Sequence, residues 1–189
     1  MDRWNPQIFR NRAPASVSSE ALDHMIAVGN RITNVSRDIQ PVFTLKHLSL
    51  LSGVDYGFLR SAVSRESDAY TTFRIGKKVK PHEEMRYRSI HVPSPALMRV
   101  QRWISKNILS HVHPHRSSVA FSPGNRLVDA VQPHCPSKWL VKFDIHDFFD
   151  SIDEVSVYHV FSKIGYEPLI SFEMARICTY LMYGSCLLY

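Results

Sequence analysis

Apolar residues recur along this chain at two spacings, near 3.6 in most stretches and near 2 in a few. Residues 1–17 mix Asn, Pro and Arg without a period and read as loop or a loosely attached arm. From Ser19, an N-cap candidate, Leu22, Met25, Ile26 and Ile32 recur at helical spacing until VSRDIQP (35–41) breaks the run. Thr44 caps a short helix that turns Leu45, Leu48 and Leu51 inward, and Gly53 stops it. Asp55 caps the next, continued by Phe58, Leu59 and Ala62. TTFRI (71–75) and YRSIHVP (87–93) have strand character, with the charged GKKVKPHEEMR (76–86) as the hairpin loop or turn region between them. Ser94 and Pro95 open a helix whose buried stripe is Leu97, Val100, Ile104 and Ile108. GNRLVDAVQ is a shorter helix closed by Pro133. KWLVKF (138–143) is a strand too apolar for an exposed edge. Asp153 caps a helix with Tyr158, Phe161 and Ile164 on one face and Gly165 at its end, and a last helix runs from about Leu169 to Met182. Helices, two strands, two helices, a strand and two helices make a mixed α+β chain without internal repeats.

Composition narrows this only a little. A chain of 189 residues, 44% hydrophobic, can bury one sizeable core, or one domain with a smaller module. The formal net charge of +6 favours anionic partners, nucleic acid first, but fits an ordinary basic protein as well. Cys135, Cys178 and Cys186 show no C-x-x-C spacing, which argues against a disulfide framework and fits a reducing cytoplasm. No apolar run reaches membrane-spanning length, and MDRWNPQIFRNRAP lacks an apolar signal core, so a cytoplasmic protein without a membrane partner is expected. The final YGSCLLY is apolar and is expected to continue into an element that pairs it; we expect the chain to be truncated here.

The chemistry concentrates in KFDIHDFFDSI (142–152). An apolar strand delivers Asp144, and a strand fixes a carboxylate better than a loop does. A carboxylate beside a core needs a cation or a donor, and magnesium, held by one or two carboxylates and phosphate oxygens, is one answer. The Ile145 carbonyl offers a further ligand, and Phe149 a floor under a sugar ring. By spacing alone, an aspartate capping a turn and a phenylalanine pair in a core are the favoured account of the stretch.

This stretch resembles the first catalytic motif of reverse transcriptases of the bacterial retron and group II intron kind: strand, Asp, Ile, two variable residues, Phe-Phe, one variable residue, Ser-Ile. Upstream segments agree in order. YRSIHVPSPALMRVQRWISKNIL resembles the family's first block, SSVAFSPGNRLVDAVQPH the next, and FRIGKK the strand and lysine pair of the fingers. The similarity covers about residues 44–189. It implies a helical N-terminal extension (1–70), fingers (71–137) and the first part of a palm (138–189), an incomplete polymerase fold. It implies that Asp144 is the catalytic, metal-binding aspartate and that Ile145 adds its carbonyl. Phe149 would be the gate against a ribose 2′-hydroxyl. Arg88 and Lys78 would contact the triphosphate, with Lys77, Lys80 and Arg126 toward nucleic acid. The loop between the lysines and Arg88 is slightly longer than in intron enzymes. The parent would copy a structured non-coding RNA into DNA from dNTPs, holding an RNA–DNA hybrid, with two Mg2+ ions. The family further implies a role in phage defence and adds an effector protein to the candidate partners. The Gln-Gly-x-Pro-Thr-Ser-Pro block is expected just past Tyr189 and the Tyr-x-Asp-Asp turn further on. Asp147, Asp150 and Asp153 do not obviously converge with Asp144, so residues 1–189 alone are expected not to polymerise.

Rival readings remain. TLKHLSLLSGVDYGFLRSAVSRE (44–66) also fits a helix-turn-helix DNA reader with Tyr56, Arg60 and Ser61 toward the major groove, or a helical hairpin packed on the fingers. A non-catalytic nucleic-acid-binding protein would keep the fingers without the chemistry. His111, His113 and His115 alternate as zinc ligands would, but Pro114 interrupts them and a surface loop is the plainer reading; His134-Cys135 is a similarly thin pair. Trp103 and Trp139 are expected in the core.

Overall fold

The computed structural model describes residues 3–66, 69–76, 87–115, 117–119, 124, 126–146, 148–182 and 185–188. The fold is mostly helical, with small antiparallel two-stranded sheets. The chain divides into two compact units, Met1–Pro41 with Ile104–Phe148, and Val42–Trp103 with Phe149–Tyr189.

The first unit opens with a helix where an arm was expected. α1 (Pro6–Arg12) starts because Asn5 accepts the Ile8 N–H through its side chain at 3.1 Å and proline occupies the first helical position. The Asn-Pro pair was the available signal; the helix is too short to show a period. Trp4 ties α1 down. Its Nε1 donates to Asn30 Oδ1 at 2.9 Å, and its ring packs so close to Gly29 that an added Cβ would clash with it. Arg10 pairs with Asp23. α2 (Ser19–Val35) is capped by Ser18, whose hydroxyl accepts from Ala21 N–H, so the cap sits one residue before the predicted Ser19. Among the described residues Leu22, Val28, Ile32, Ile39, Ile104 and Ile108 are the large buried apolar side chains of this unit, and Gln40 N–H donates to Asn107 O at 3.0 Å. The last two apolar positions come from the end of α5 (Pro95–Asn107) and just beyond it. A short α6 (Leu127–Val131) follows.

KWLVKF departs from expectation. Residues 138–145 belong to no strand, and Trp139 (89% exposed) and Phe143 (88%) stand in solvent, with Leu140 and Val141 also exposed. A strand exists only through its neighbours' hydrogen bonds, and an apolar one needs cover on both faces. Among the described residues the only ladders are two isolated hairpins, and neither pairs with this segment. Trp139 is therefore not a core residue here.

In the second unit the predicted caps recur. Thr44 accepts from His47 N–H at 3.1 Å to open α3 (Leu45–Ser52), and Gly53 ends it in the left-handed region at φ 65°. Asp55 accepts from Phe58 N–H at 2.9 Å to open α4 (Tyr56–Ser64). That helix ends on Arg65, which holds φ 62° although it is not glycine. β1 (Tyr70–Gly76) and β2 (Tyr87–Pro93) pair antiparallel, Thr72 opposite His91 and Ile75 opposite Arg88. The first part of α5 adds Leu97 and Val100 to the core. α7 (Glu154–Ile164) is capped by Asp153, which accepts from Ser156 N–H at 2.7 Å, and closed by Gly165 at φ 110°. Its buried face carries Val157 with Phe161 and Ile164, in place of the predicted Tyr158. α8 (Pro168–Cys178) buries Ile170, Met174 and Ile177 and stops before the predicted end. Thr179–Met182 is instead β3, paired with β4 (Ser185–Leu188). The switch follows β-favouring Thr179 and Tyr180 and the clamp on Thr179 described next.

Candidate functional site

The residues implied by the catalytic resemblance fall in different parts of the chain. Asp144 and Ile145 are exposed in a segment of the first unit that belongs to no helix or strand. Phe149 opens a 3-10 turn, Phe149–Ser151, of the second unit and is about half exposed. Arg88 stands in β2 opposite Ile75. Lys77, Lys78, Lys80 and Asp147 lie outside the described residues. Arg126 heads α6; its backbone N–H donates to Asp129 Oδ2 at 3.1 Å and its guanidinium lies 3.1 Å from Asp129 Oδ1. That partner holds the Asp129 carboxyl below its ordinary value. Among the described residues no three His, Cys, Asp or Glu groups come together as metal ligands, so these side chains do not by themselves compose a magnesium site. His113 and His115 are exposed and His111 half-buried. Cys135 ends a surface 3-10 turn.

The α3–α4 pair shows its connections within the second unit. Arg60 Nη1 lies 3.7 Å from Glu173 Oε1 of α8, and Arg176 Nη1 donates to Val63 O at 2.7 Å. Burial pushes the Glu173 carboxyl up, and Arg60 pulls it part of the way back. Lys46 sits over the Tyr56 ring, 5.2 Å from its centroid.

The most elaborated polar constellation lies in the second unit and was not read from the sequence. Arg65 Nη1 donates to Thr179 O at 2.6 Å; its Nη2 donates to Thr179 Oγ1 at 2.8 Å and to Glu154 Oε2 at 3.0 Å. Arg176 Nε lies 3.4 Å from the other Glu154 oxygen. Thr179 is fully buried, and its hydroxyl donates to Ala175 O at 2.9 Å. One carboxylate at the start of α7 thus joins an arginine past the end of α4 to an arginine near the end of α8. Beside it lies a cavity of about 310 Å³ lined by Arg65, Arg176, Thr72, His91, Tyr70 and Tyr180, among others. Thr72 Oγ1 and His91 Nδ1 are 2.8 Å apart across the β1–β2 ladder. The Tyr180 ring centroid lies 4.5 Å from that of His91 and 5.6 Å from that of Tyr70. The one local hint was an arginine directly after a capped helix; Glu154, Arg176 and Thr179 are too far from it in sequence to suggest the cluster.

No protein-family model matches the chain. It is 32% identical over 108 residues to the Retron Ec86 reverse transcriptase of Escherichia coli, covering 57% of this chain and 34% of that protein. It is 26% identical over 141 residues to the Retron Se72 reverse transcriptase of Salmonella heidelberg (strain 579083-10), covering 74% and 36%. The Retron Ec83 reverse transcriptase of Escherichia coli is 30% identical over 89 residues, 47% of this chain and 27% of that protein. The chain is related to retron reverse transcriptases over part of their length. It matches about a third of the length of these retron proteins. No helix among the described residues is long and apolar enough to cross a membrane.

Proposed function

We propose that this chain is part of a retron-type reverse transcriptase: a helical extension over 1–70, fingers over 71–137 and the first part of the palm over 138–189. The observation that carries the reading is the 32% identity over 108 residues to a retron reverse transcriptase. KFDIHDFFDSI supports it as a resemblance. The antiparallel β1–β2 hairpin, with Arg88 in its second strand, supports the fingers assignment. The ion pair from α4 to α8 supports a packed helical hairpin in preference to a DNA-reading helix.

In this reading the complete enzyme copies a structured RNA into DNA, drawing on dNTPs and holding an RNA–DNA hybrid. Arg88 and Lys78 meet the triphosphate, with Lys77, Lys80 and Arg126 along the nucleic acid. Phe149 excludes the 2′-hydroxyl. Asp144 and the Ile145 carbonyl would help to hold magnesium, which would supply charge stabilisation to the phosphoryl transfer. A cytoplasmic protein with an effector partner and a part in phage defence follows from the same reading.

The test is primer extension on an RNA template with dNTPs and Mg2+, using the whole gene product and its Asp144→Ala variant. Incorporation that falls by about a thousandfold or more in the variant is expected, since a missing metal carboxylate removes transition-state stabilisation. Wild-type protein that binds RNA but never extends a primer would leave the non-catalytic binding protein as the function. Residues 1–189 alone are expected to incorporate nothing.

A further inference from the structure

We propose that the cavity beside Arg65 and Arg176 binds a phosphate monoester carried on a flat aromatic body: a mononucleotide, or the phosphorylated end of a nucleic acid strand. Charge is the first argument. Two guanidiniums share the single carboxylate of Glu154, with Arg65 and Glu154 side chains each 16% exposed and Arg176 26%. A surplus positive charge held out of water is costly unless an anion meets it.

Donors are the second. The terminal nitrogens of Arg65 are committed to Thr179 and Glu154, and Arg176 Nη1 to Val63 O. Arg65 Nε is buried without a hydrogen-bond acceptor, and Arg176 Nε has only the Glu154 oxygen 3.4 Å away, an ion pair without hydrogen-bond geometry. Buried donors normally find partners, so the unmet Arg65 Nε and the loosely held Arg176 Nε favour a further acceptor. They belong to two guanidiniums, one just past the end of α4 and one in α8. Single N–H groups on separate forks suit an oxyanion with several oxygens better than a planar carboxylate, which a single fork would take in bidentate fashion.

Size and walls are the third. A volume of about 310 Å³ is at the small end of ligand cavities, the scale of a mononucleotide. Tyr70, His91 and Tyr180 supply ring surface, and Thr72 a hydroxyl. This inference does not rest on the polymerase reading: binding here and primer extension through Asp144 can each succeed where the other fails.

The experiment is thermal unfolding and equilibrium titration of the full chain with dAMP, deoxyadenosine and inorganic phosphate. 5′-phosphorylated and 5′-hydroxyl forms of one short oligodeoxynucleotide distinguish the two sources. We expect dAMP to raise the melting temperature and deoxyadenosine to leave it unchanged, with inorganic phosphate between. A 5′-phosphate that tightens the oligonucleotide by about tenfold assigns the site to strand ends; dAMP binding without that gain assigns it to mononucleotides. Arg65→Lys, which keeps the charge but loses the fork, should weaken dAMP by about tenfold. Glu154→Gln, which removes the competing carboxylate, should tighten dAMP by about threefold or more, whereas a purely structural network would not gain affinity. Should Arg65→Lys fail to fold by circular dichroism, the Gln variant and the dAMP-deoxyadenosine comparison decide. Equal shifts from dAMP and deoxyadenosine, no shift from either, or weaker dAMP binding in Glu154→Gln would overturn the proposal.

Discussion

Arg65→Ala tests the physical account of the second unit most directly. The guanidinium makes three hydrogen bonds, two to Thr179 and one to Glu154. Truncation leaves the carbonyl of a fully buried residue without this donor, which costs about 1–3 kcal/mol. It also leaves Glu154 with Arg176 alone, at 3.4 Å. Glu154 keeps Arg176, so the loss falls short of the roughly 3–5 kcal/mol typical of leaving a buried charge unpaired, and about 1–3 kcal/mol is expected. The backbone offers an internal control. Arg65 sits at φ 62°, where glycine is freed of a penalty of about 1 kcal/mol. Arg65→Gly should therefore be about 1 kcal/mol more stable than Arg65→Ala, although it carries still fewer side-chain atoms. Urea unfolding followed by circular dichroism measures both differences, with the denaturant slope checked for constancy. A loss below about 1 kcal/mol for Arg65→Ala would place the network among ordinary surface pairs and refute the reasoning. Equal stability of the Ala and Gly variants would refute the backbone argument separately.

Three further outcomes follow from local physics. Burial pushes the Cys178 thiol up to about 12, so iodoacetamide should label Cys135, which is exposed, much faster than Cys178 in the native chain; peptide mass spectrometry reads the ratio, and equal labelling would contradict the burial. Asp153 has its carboxyl held below 3.8, chiefly by the hydrogen bonds from Ser156. Its folded value is the lower one, so its contribution is present above the unfolded value and lost as pH falls through the folded one; Asp153→Asn should flatten that acid limb, and an unchanged limb in acid titrations of stability would sink the cap argument. Trp139→Ser and Phe143→Ser, at residues 89% and 88% exposed, should each leave the stability of residues 1–189 within about 0.5 kcal/mol, whereas a loss of about 3 kcal/mol would mean the segment is buried after all.

Local signals were legible wherever one or two residues suffice to set the geometry. Thr44, Asp55 and Asp153 each cap the helix expected of them, because a short oxygen-bearing side chain satisfies a first-turn N–H whatever the distant chain does. Gly53 and Gly165 end helices at positive φ for an equally local reason. The hairpin of β1 and β2 also emerged, since alternation and the polar stretch between its strands lie within one short window. The resemblance to retron reverse transcriptases was also legible, and the partial similarity to them agrees with it.

Tertiary structure decided what depends on residues distant in sequence. Whether KWLVKF becomes a buried strand is settled by neighbouring strands, and its own apolarity cannot supply them. The end of α8 depends on Arg65, 114 positions from Thr179 along the chain, reaching a carbonyl that a continued helix would keep for itself. The cluster of Arg65, Glu154 and Arg176 has no local pattern at all: three charges, one just past the end of α4 and one each in α7 and α8, meet only when those helices pack. The sequence alone determined the caps, the turns and the motif, because each is fixed by neighbours along the chain. The cavity and its charge were decided by packing, because long-range contacts carry no signature in any single window of sequence.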